Sequence, residues 1–179
     1  MAVTFRYIAN ENPVEIASFL IQNQMFNAWN VSLETLYQIA LTNTIKKFPC
    51  KINSLLNLVS ELMKNNPVKS DDLAEEMLPD IESEKDMYVL SNETGINGAT
   101  CILYDAVVKN FADNHDCNVF ILPSSLHEVM LVPENEKIES QFLKEMVLEV
   151  NQTAVDSIDL LSDNIYYYDR ESDEIRIYD

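Results

Sequence analysis

The chain predicts an α+β fold, an antiparallel β-sheet built from hairpins with amphipathic helices packed on it. Three observations carry the prediction. Short apolar runs bounded by turn chemistry recur at residues 87–90, 99–104, 119–122 and 128–132, and such runs read as strands buried on both faces. Other segments repeat their apolar residues at helical spacing. The elements follow one another as ββα, ββα, ββ, an order that favours antiparallel pairing over the single alternation of a doubly wound parallel sheet.

Taken in order, Val3, Phe5 and Tyr7 alternate with Thr4 and Arg6 as in a half-buried strand. Asn10-Glu11-Asn12-Pro13 is turn chemistry, and residues 17–21 form the returning strand of a hairpin. Ser32 then suits a helix N-cap, with Glu34 in the first turn and Lys46 and Lys47 in the last turn before Pro49. Leu33, Leu36, Tyr37, Ala40, Leu41, Ile45 and Phe48 fall on one face of that helix. Ile52, Leu55, Leu56, Val59, Leu62 and Met63 repeat the pattern, predicting a second helix that ends near Asn65-Asn66-Pro67 and an αα unit joined at residues 48–50.

Residues 69–86 carry eight acids and few large apolar side chains, which reads as an acidic mobile loop within a single 1–179 domain. The strand at 87–90 leads through a loop that uses Gly95 into a strand at 99–104, antiparallel to the first. Asp105 is placed to cap a short helix with Val107, Val108 and Phe111 inward. His115 sits exposed at its end. Strands at 119–122 and 128–132 flank Pro123-Ser124-Ser125, where Pro suits the second position of a type I turn. A capped helix follows with Phe142, Leu143, Met146, Val147 and Val150 on one face. Residues 165–168 and 175–178 close the chain as a second hairpin. Its run Tyr166-Tyr167-Tyr168 puts alternate rings on opposite faces, one of them at a surface.

Composition excludes several functions. Twelve Lys+Arg against thirty Asp+Glu give a net charge of −18, a field that repels phosphate backbones and anionic lipid. Nucleic acid and membrane are therefore not expected partners, which leaves a protein partner as the open class. The N-terminus lacks a signal-peptide pattern, no run approaches the roughly 18 apolar residues of a membrane helix, and the three cysteines form no CxxC pair. Those features place the chain in the cytoplasm.

The polar residues that interrupt the strands are the candidate site. His127-Glu128 lacks the second His four residues on that a zincin needs, and in a strand the two side chains diverge, so no metal is expected. Ser124 or Ser125 with His127 has the residue types of a nucleophile and base, without the GxSxG glycines that expose such a serine. The simpler reading is that the serines satisfy turn groups and His127 bonds the sheet end. Gly95 and Gly98 make no GxGxxG and are followed by no Lys-Ser/Thr, so hairpin geometry accounts for them and no cofactor is expected.

The segments MYVLSNETGINGATCILY, VFILPSSLHEVMLVP and LSDNIYYYDRESDEI, with NAWNVSLETLYQIALTNT and MVLEVNQTAV, resemble an uncharacterised family of clostridial, gut-dwelling bacterial proteins. The resemblance covers the chain from about residue 3 onward. It implies no activity. It implies a further N-terminal region in longer members, with this chain as their C-terminal portion, and it marks Asn97, Ser124, Ser125, His127, Glu128 and Asn151 as motif residues. One departure is visible. The last hairpin has Ser172-Asp173 where the family pattern has a Gly, so a residue with a Cβ takes any left-handed position there.

The function expected is a cytoplasmic, non-catalytic binding or interaction domain, with Asn97, Ser124, Ser125, His127 and Asn151 at the binding surface. The alternatives are a small-molecule enzyme with His127 as general base and Glu128 beside it, or a structural part of a larger protein.

Overall fold

A computed structural model of the chain describes residues 1–11, 16–65, 87–123, 125–136 and 138–178. The acidic stretch 69–86 and Ser124 lie outside the described residues. The chain gathers into two compact units, Met1–Lys47 and Phe48–Asp179.

In the first unit, β1 (Arg6–Glu11) pairs antiparallel with β2 (Ile16–Leu20), as the alternation predicts. A helix that the apolar pattern did not reveal, α1 (Asn23–Trp29), precedes α2 (Leu33–Lys47). Ser32 caps α2, its Oγ accepting the Thr35 N–H at 3.0 Å. The predicted apolar face of α2 is only partly buried. Leu36 is covered, whereas Leu33 and Ile45 are exposed.

The second unit is built on a six-stranded antiparallel sheet in the order β3-β4-β6-β5-β7-β8. Its strands are β3 (Cys50–Ser54), β4 (Tyr88–Asn92), β5 (Val119–Leu122), β6 (Val129–Pro133), β7 (Tyr166–Asp169) and β8 (Glu174–Ile177). With it pack α3 (Leu55–Asn65), a 3-10 helix over Gly98–Leu103, α4 (Val107–His115) and α5 (Ser140–Thr153). The α+β class is as predicted.

Two elements differ from expectation. Residues 50–54 form a strand rather than the start of a helix, so a strand intervenes in the chain between α2 and α3. The Pro49 ring ends the helical run, and pairing of Cys50–Ser54 with Asn92–Tyr88 supplies the backbone bonds instead. Gly98–Leu103 is a 3-10 helix rather than a strand, because β3 and β6 already occupy both sides of β4.

Smaller corrections follow the same logic. Asp105 does not cap α4, which starts from Ala106 at φ 59 without a side-chain cap. No side-chain cap opens α5 either, and it buries Leu143, Val147 and Asn151 while Phe142 and Val150 are exposed. All three of Tyr166, Tyr167 and Tyr168 are buried, because β7 lies inside the sheet and both its faces are covered.

Alternation sorts the core. Phe120, Leu122, Val132 and Tyr167 share one sheet face and pack with Leu143 and Val147 of α5. On the other face, Ile121 stands between Leu131 and Tyr166 in register, and Tyr88 continues the row to an edge contact with Phe111 of α4. Strand β5 is buried at every residue, as expected for a run of four apolar side chains between two covered faces.

Candidate functional site

Four of the motif residues, Asn97, Ser125, His127 and Asn151, lie at one end of the sheet, around the loop 154–164. Its geometry starts at Asn92, which ends β4 and is buried. Asn92 Oδ1 accepts the Thr94 N–H (3.0 Å) and hydroxyl (2.8 Å), and its Nδ2 donates to the Ile96 carbonyl (2.8 Å). This closes the loop that carries Gly95 at φ +70 and Asn97 at φ 52. Asn97 then offers its N–H to His127 Nδ1 at 3.3 Å. Ser125 Oγ accepts the His127 N–H at 3.1 Å, and the Ser91 hydroxyl donates to the His127 carbonyl at 2.7 Å.

The same segment grips the following loop. Ser125 bridges Leu160, the Leu126 N–H donates to the Asp159 carbonyl at 2.8 Å, and His127 Nε2 lies 3.5 Å from Asp159 Oδ1. From the helix side, Asn151 Nδ2 donates to the Ser162 carbonyl (3.0 Å) and to Asp163 Oδ1 (2.9 Å). Asn151 Oδ1 is buried and accepts no hydrogen bond among the described residues. Ser125, His127 and Asn151 therefore brace one strap of backbone, and Asn97 is tied to it through His127. Glu128 is exposed.

This arrangement bears on chemistry. A general base needs an imidazole lone pair facing its substrate proton. In His127 the Nδ1 lone pair takes the Asn97 N–H, and the Nε2–H faces Asp159. Ser125 Oγ is turned to the backbone of His127 rather than its ring. Among the described residues, no group of three His, Cys, Asp or Glu side chains has metal-binding geometry.

Two open clefts among the described residues lie elsewhere. One of about 330 Å³ is lined by Tyr104, Asp105, Val107, Lys109, Tyr168 and Ile175. Another of about 460 Å³ runs between β3 and α4, lined by Cys50, Ile52, Tyr88, Asn110, Phe111 and His115. His115 is exposed at the end of α4, as expected, with its ring against Tyr88 and Phe111.

The cysteines differ sharply. Cys50 is exposed, while Cys101 is buried and donates to the Ser91 carbonyl at 3.3 Å. Burial pushes the Cys101 thiol up to about 11. Burial also raises Cys117, against the opposing pull of a backbone bond to Glu134. Native protein at neutral pH is expected to show one fast thiol towards iodoacetamide, at Cys50, with Cys101 reacting only on unfolding. Peptide mapping of the alkylated chain checks this.

A second polar network went unread in the sequence. Asn118 Nδ2 (3.0 Å) and the Tyr167 hydroxyl (2.8 Å) both donate to Glu134 Oε2, and Asn118 Oδ1 accepts the Arg170 N–H (3.0 Å). Arg170 continues to Asp113 (3.2 Å) and Asp116 (2.8 Å). Burial, then the bond to Glu134, pushes Tyr167 up to about 12. Asn118 and Glu134 bracket paired ends of β5 and β6, so only the register Val119↔Pro133 reveals them as partners.

The last hairpin has the left-handed residue that the missing glycine implied, Asp173 at φ 57. Its Oδ1 accepts the Tyr168 hydroxyl at 2.6 Å and its Oδ2 lies 3.3 Å from Lys109 Nζ. Asp169 Oδ1 accepts the N–H groups of Glu171 and Ser172. The Tyr168 bond, then Lys109, hold Asp173 below its ordinary range, and the turn N–H groups hold Asp169 below its own. A carboxyl lowered on folding contributes stability above its unfolded pKa and loses it as pH falls through the folded value. Protection of the β8 amides, taken relative to their intrinsic exchange rates, is therefore expected to fall below about pH 4 before that of the rest of the sheet. Uniform acid sensitivity across the sheet would contradict that.

No helix among the described residues is long and apolar enough to cross a membrane. The chain matches no curated protein and no solved structure. Residues 1–170 match the model of a family of unknown function, DUF5688, and the chain belongs to that family.

Proposed function

We propose that this chain is a non-catalytic protein-interaction domain working in the bacterial cytoplasm, with its N-terminal unit as the contact surface. One observation carries the reading. Among the large apolar side chains described in Met1–Lys47, Leu36 is buried, while Tyr7, Phe19, Leu20, Trp29, Leu33 and Ile39 are exposed. A unit this small cannot enclose its own apolar surface, and a concentration of exposed aromatic and aliphatic side chains marks a surface meant for another protein. The Tyr7 and Phe19 rings, paired across the hairpin with centroids 5.2 Å apart, form a rigid anchor of the kind enriched at interfaces.

The rival, an enzyme with His127 as base, loses support because both ring nitrogens already face internal groups. In-cell photocrosslinking from a benzoylphenylalanine at Ile39 tests the proposal, with the same probe at exposed Phe142 of α5 as control. A discrete adduct well above 20.5 kDa from position 39 alone is expected. A chain that gives no intermolecular adduct at position 39 overturns the reading.

A further inference from the structure

We propose that β8 is a self-pairing edge, through which two copies of the chain join their sheets antiparallel about a two-fold axis centred on Ile175. The proposal is independent of the N-terminal contact surface.

Among the described residues strand β8 ends the sheet, and it is exposed at all four positions, with Ile175 and Ile177 at 42% and 50%. Its ladder to β7 fixes which backbone groups point outward. The Tyr178 N–H donates to the Ile165 carbonyl, so in this register Arg176 and Glu174 bond inward to β7. The N–H and C=O of Ile175 and Ile177 then point away from the sheet, because bonded and non-bonded positions alternate along an antiparallel pair. An incoming antiparallel strand has to match outward residues with outward residues.

That rule leaves three nearby two-fold registers, and charge separates them. Centring on Glu174 sets Glu against Glu, and centring on Arg176 sets Arg against Arg. Centring on Ile175 sets Glu174 opposite Arg176 of the second copy twice over, at the non-hydrogen-bonded positions where side chains lie closest. Ile175 then meets Ile175 on the other face, next to the exposed Ile177. Within one copy Glu174 stands directly opposite Asp169, a like-charge pair that an arginine from outside relieves. Arg176 has length to spare, since its guanidinium lies 5.6 Å over the Tyr167 ring, 3.9 Å from Asp169, and is 67% exposed. The opposite edge offers no such match, because the only charged side chain of β3 is Lys51.

Two bodies of charge −18 repel each other at long range, so the pairing strengthens with added salt that screens this field while close pairs persist. Sedimentation equilibrium of the full chain is the test. The parent is expected to move from 20.5 kDa towards twice that mass as concentration and salt rise. Glu174→Arg and Arg176→Glu are each expected to weaken association about tenfold, since each opposes like charges across the axis. An equimolar mixture of the two variants is expected to recover it as a heterodimer. Both positions are exposed, so the variants keep the fold, which far-ultraviolet circular dichroism checks. A parent that stays monomeric up to its solubility limit overturns the proposal. Association that neither single reversal weakens, or that the mixture fails to restore, overturns it equally.

Discussion

Gly98→Ala is expected to destabilise the second unit by about 3 kcal/mol, lowering its melting temperature by roughly 6–12 °C. A Cβ at Gly98 would overlap the Ser91 hydroxyl oxygen, the His127 carbonyl and the Asn92 backbone nitrogen. Two of those three atoms are backbone, so no rotamer change clears the space. The strand β4 and the segment bearing His127 would have to part, breaking the 2.7 Å bond between Ser91 and His127. Gly95→Ala is the informative comparison. It has open space around it and φ +70, so its cost is the left-handed backbone alone, about 1 kcal/mol. Thermal denaturation of both variants separates close packing from backbone freedom. Equal losses would mean that the approach of β4 to the His127 segment is not a constraint.

That contrast also shows what the sequence could and could not convey. Both glycines read as hairpin geometry, but β4 runs into a 3-10 helix rather than a second strand, and Gly95 supplies only the left-handed turn between them. Gly98 has a different reason, a close approach to the backbone of His127 far along the chain, and no local pattern encodes it. The misassigned elements share the cause. Ile52, Leu55, Leu56 and Val59 have helical spacing, yet Cys50–Ser54 is held as a strand by Asn92–Tyr88, another distant partner. Residues 99–104 are apolar enough for a strand, and a short apolar run does not declare its period. What excluded a strand there was the occupancy of both sides of β4, a property of the sheet.

The central strands were legible because burial on both faces demands continuous apolar runs, and β5 and β6 appear where the sequence puts them. The candidate site was legible in part. The motif residues stood out as a set, and the serine turn and the histidine at the sheet end were legible as hydrogen-bonding devices. Their common object was not, because the strap 154–164 carries no pattern of its own. The spacing of apolar residues along α5 gave its buried face in part, since Leu143 and Val147 are buried and Met146 packs against the core. Asn151 faces inward, and the apolar side chains Phe142 and Val150 face out.

Asn151 makes the second large effect testable. Its amide nitrogen donates to Ser162 and Asp163, and its side chain is buried at the helix surface that meets the strap. Asn151→Asp is nearly isosteric, so packing is retained while the two donors are lost. At neutral pH it sets a buried carboxylate against the Ser162 carbonyl and the Asp163 carboxylate, an uncompensated charge that costs about 3–5 kcal/mol. Burial and Asp163 both raise the new carboxyl above its unfolded value. A group raised on folding is tolerated below its unfolded pKa and penalises the fold increasingly as pH rises through the folded value. The variant is therefore expected to approach the parent near pH 4 and to fall away from it towards pH 7, the reverse of the acid sensitivity of the β7–β8 hairpin. Asn151→Leu removes the same donors without adding charge, and is expected to lose about 1–3 kcal/mol with no such pH dependence. Urea denaturation of the three proteins at several pH values decides between the accounts. Parallel curves for Asn151→Asp and Asn151→Leu would mean that Asp163 and the strap lie too far into solvent for the motif asparagine to act through them.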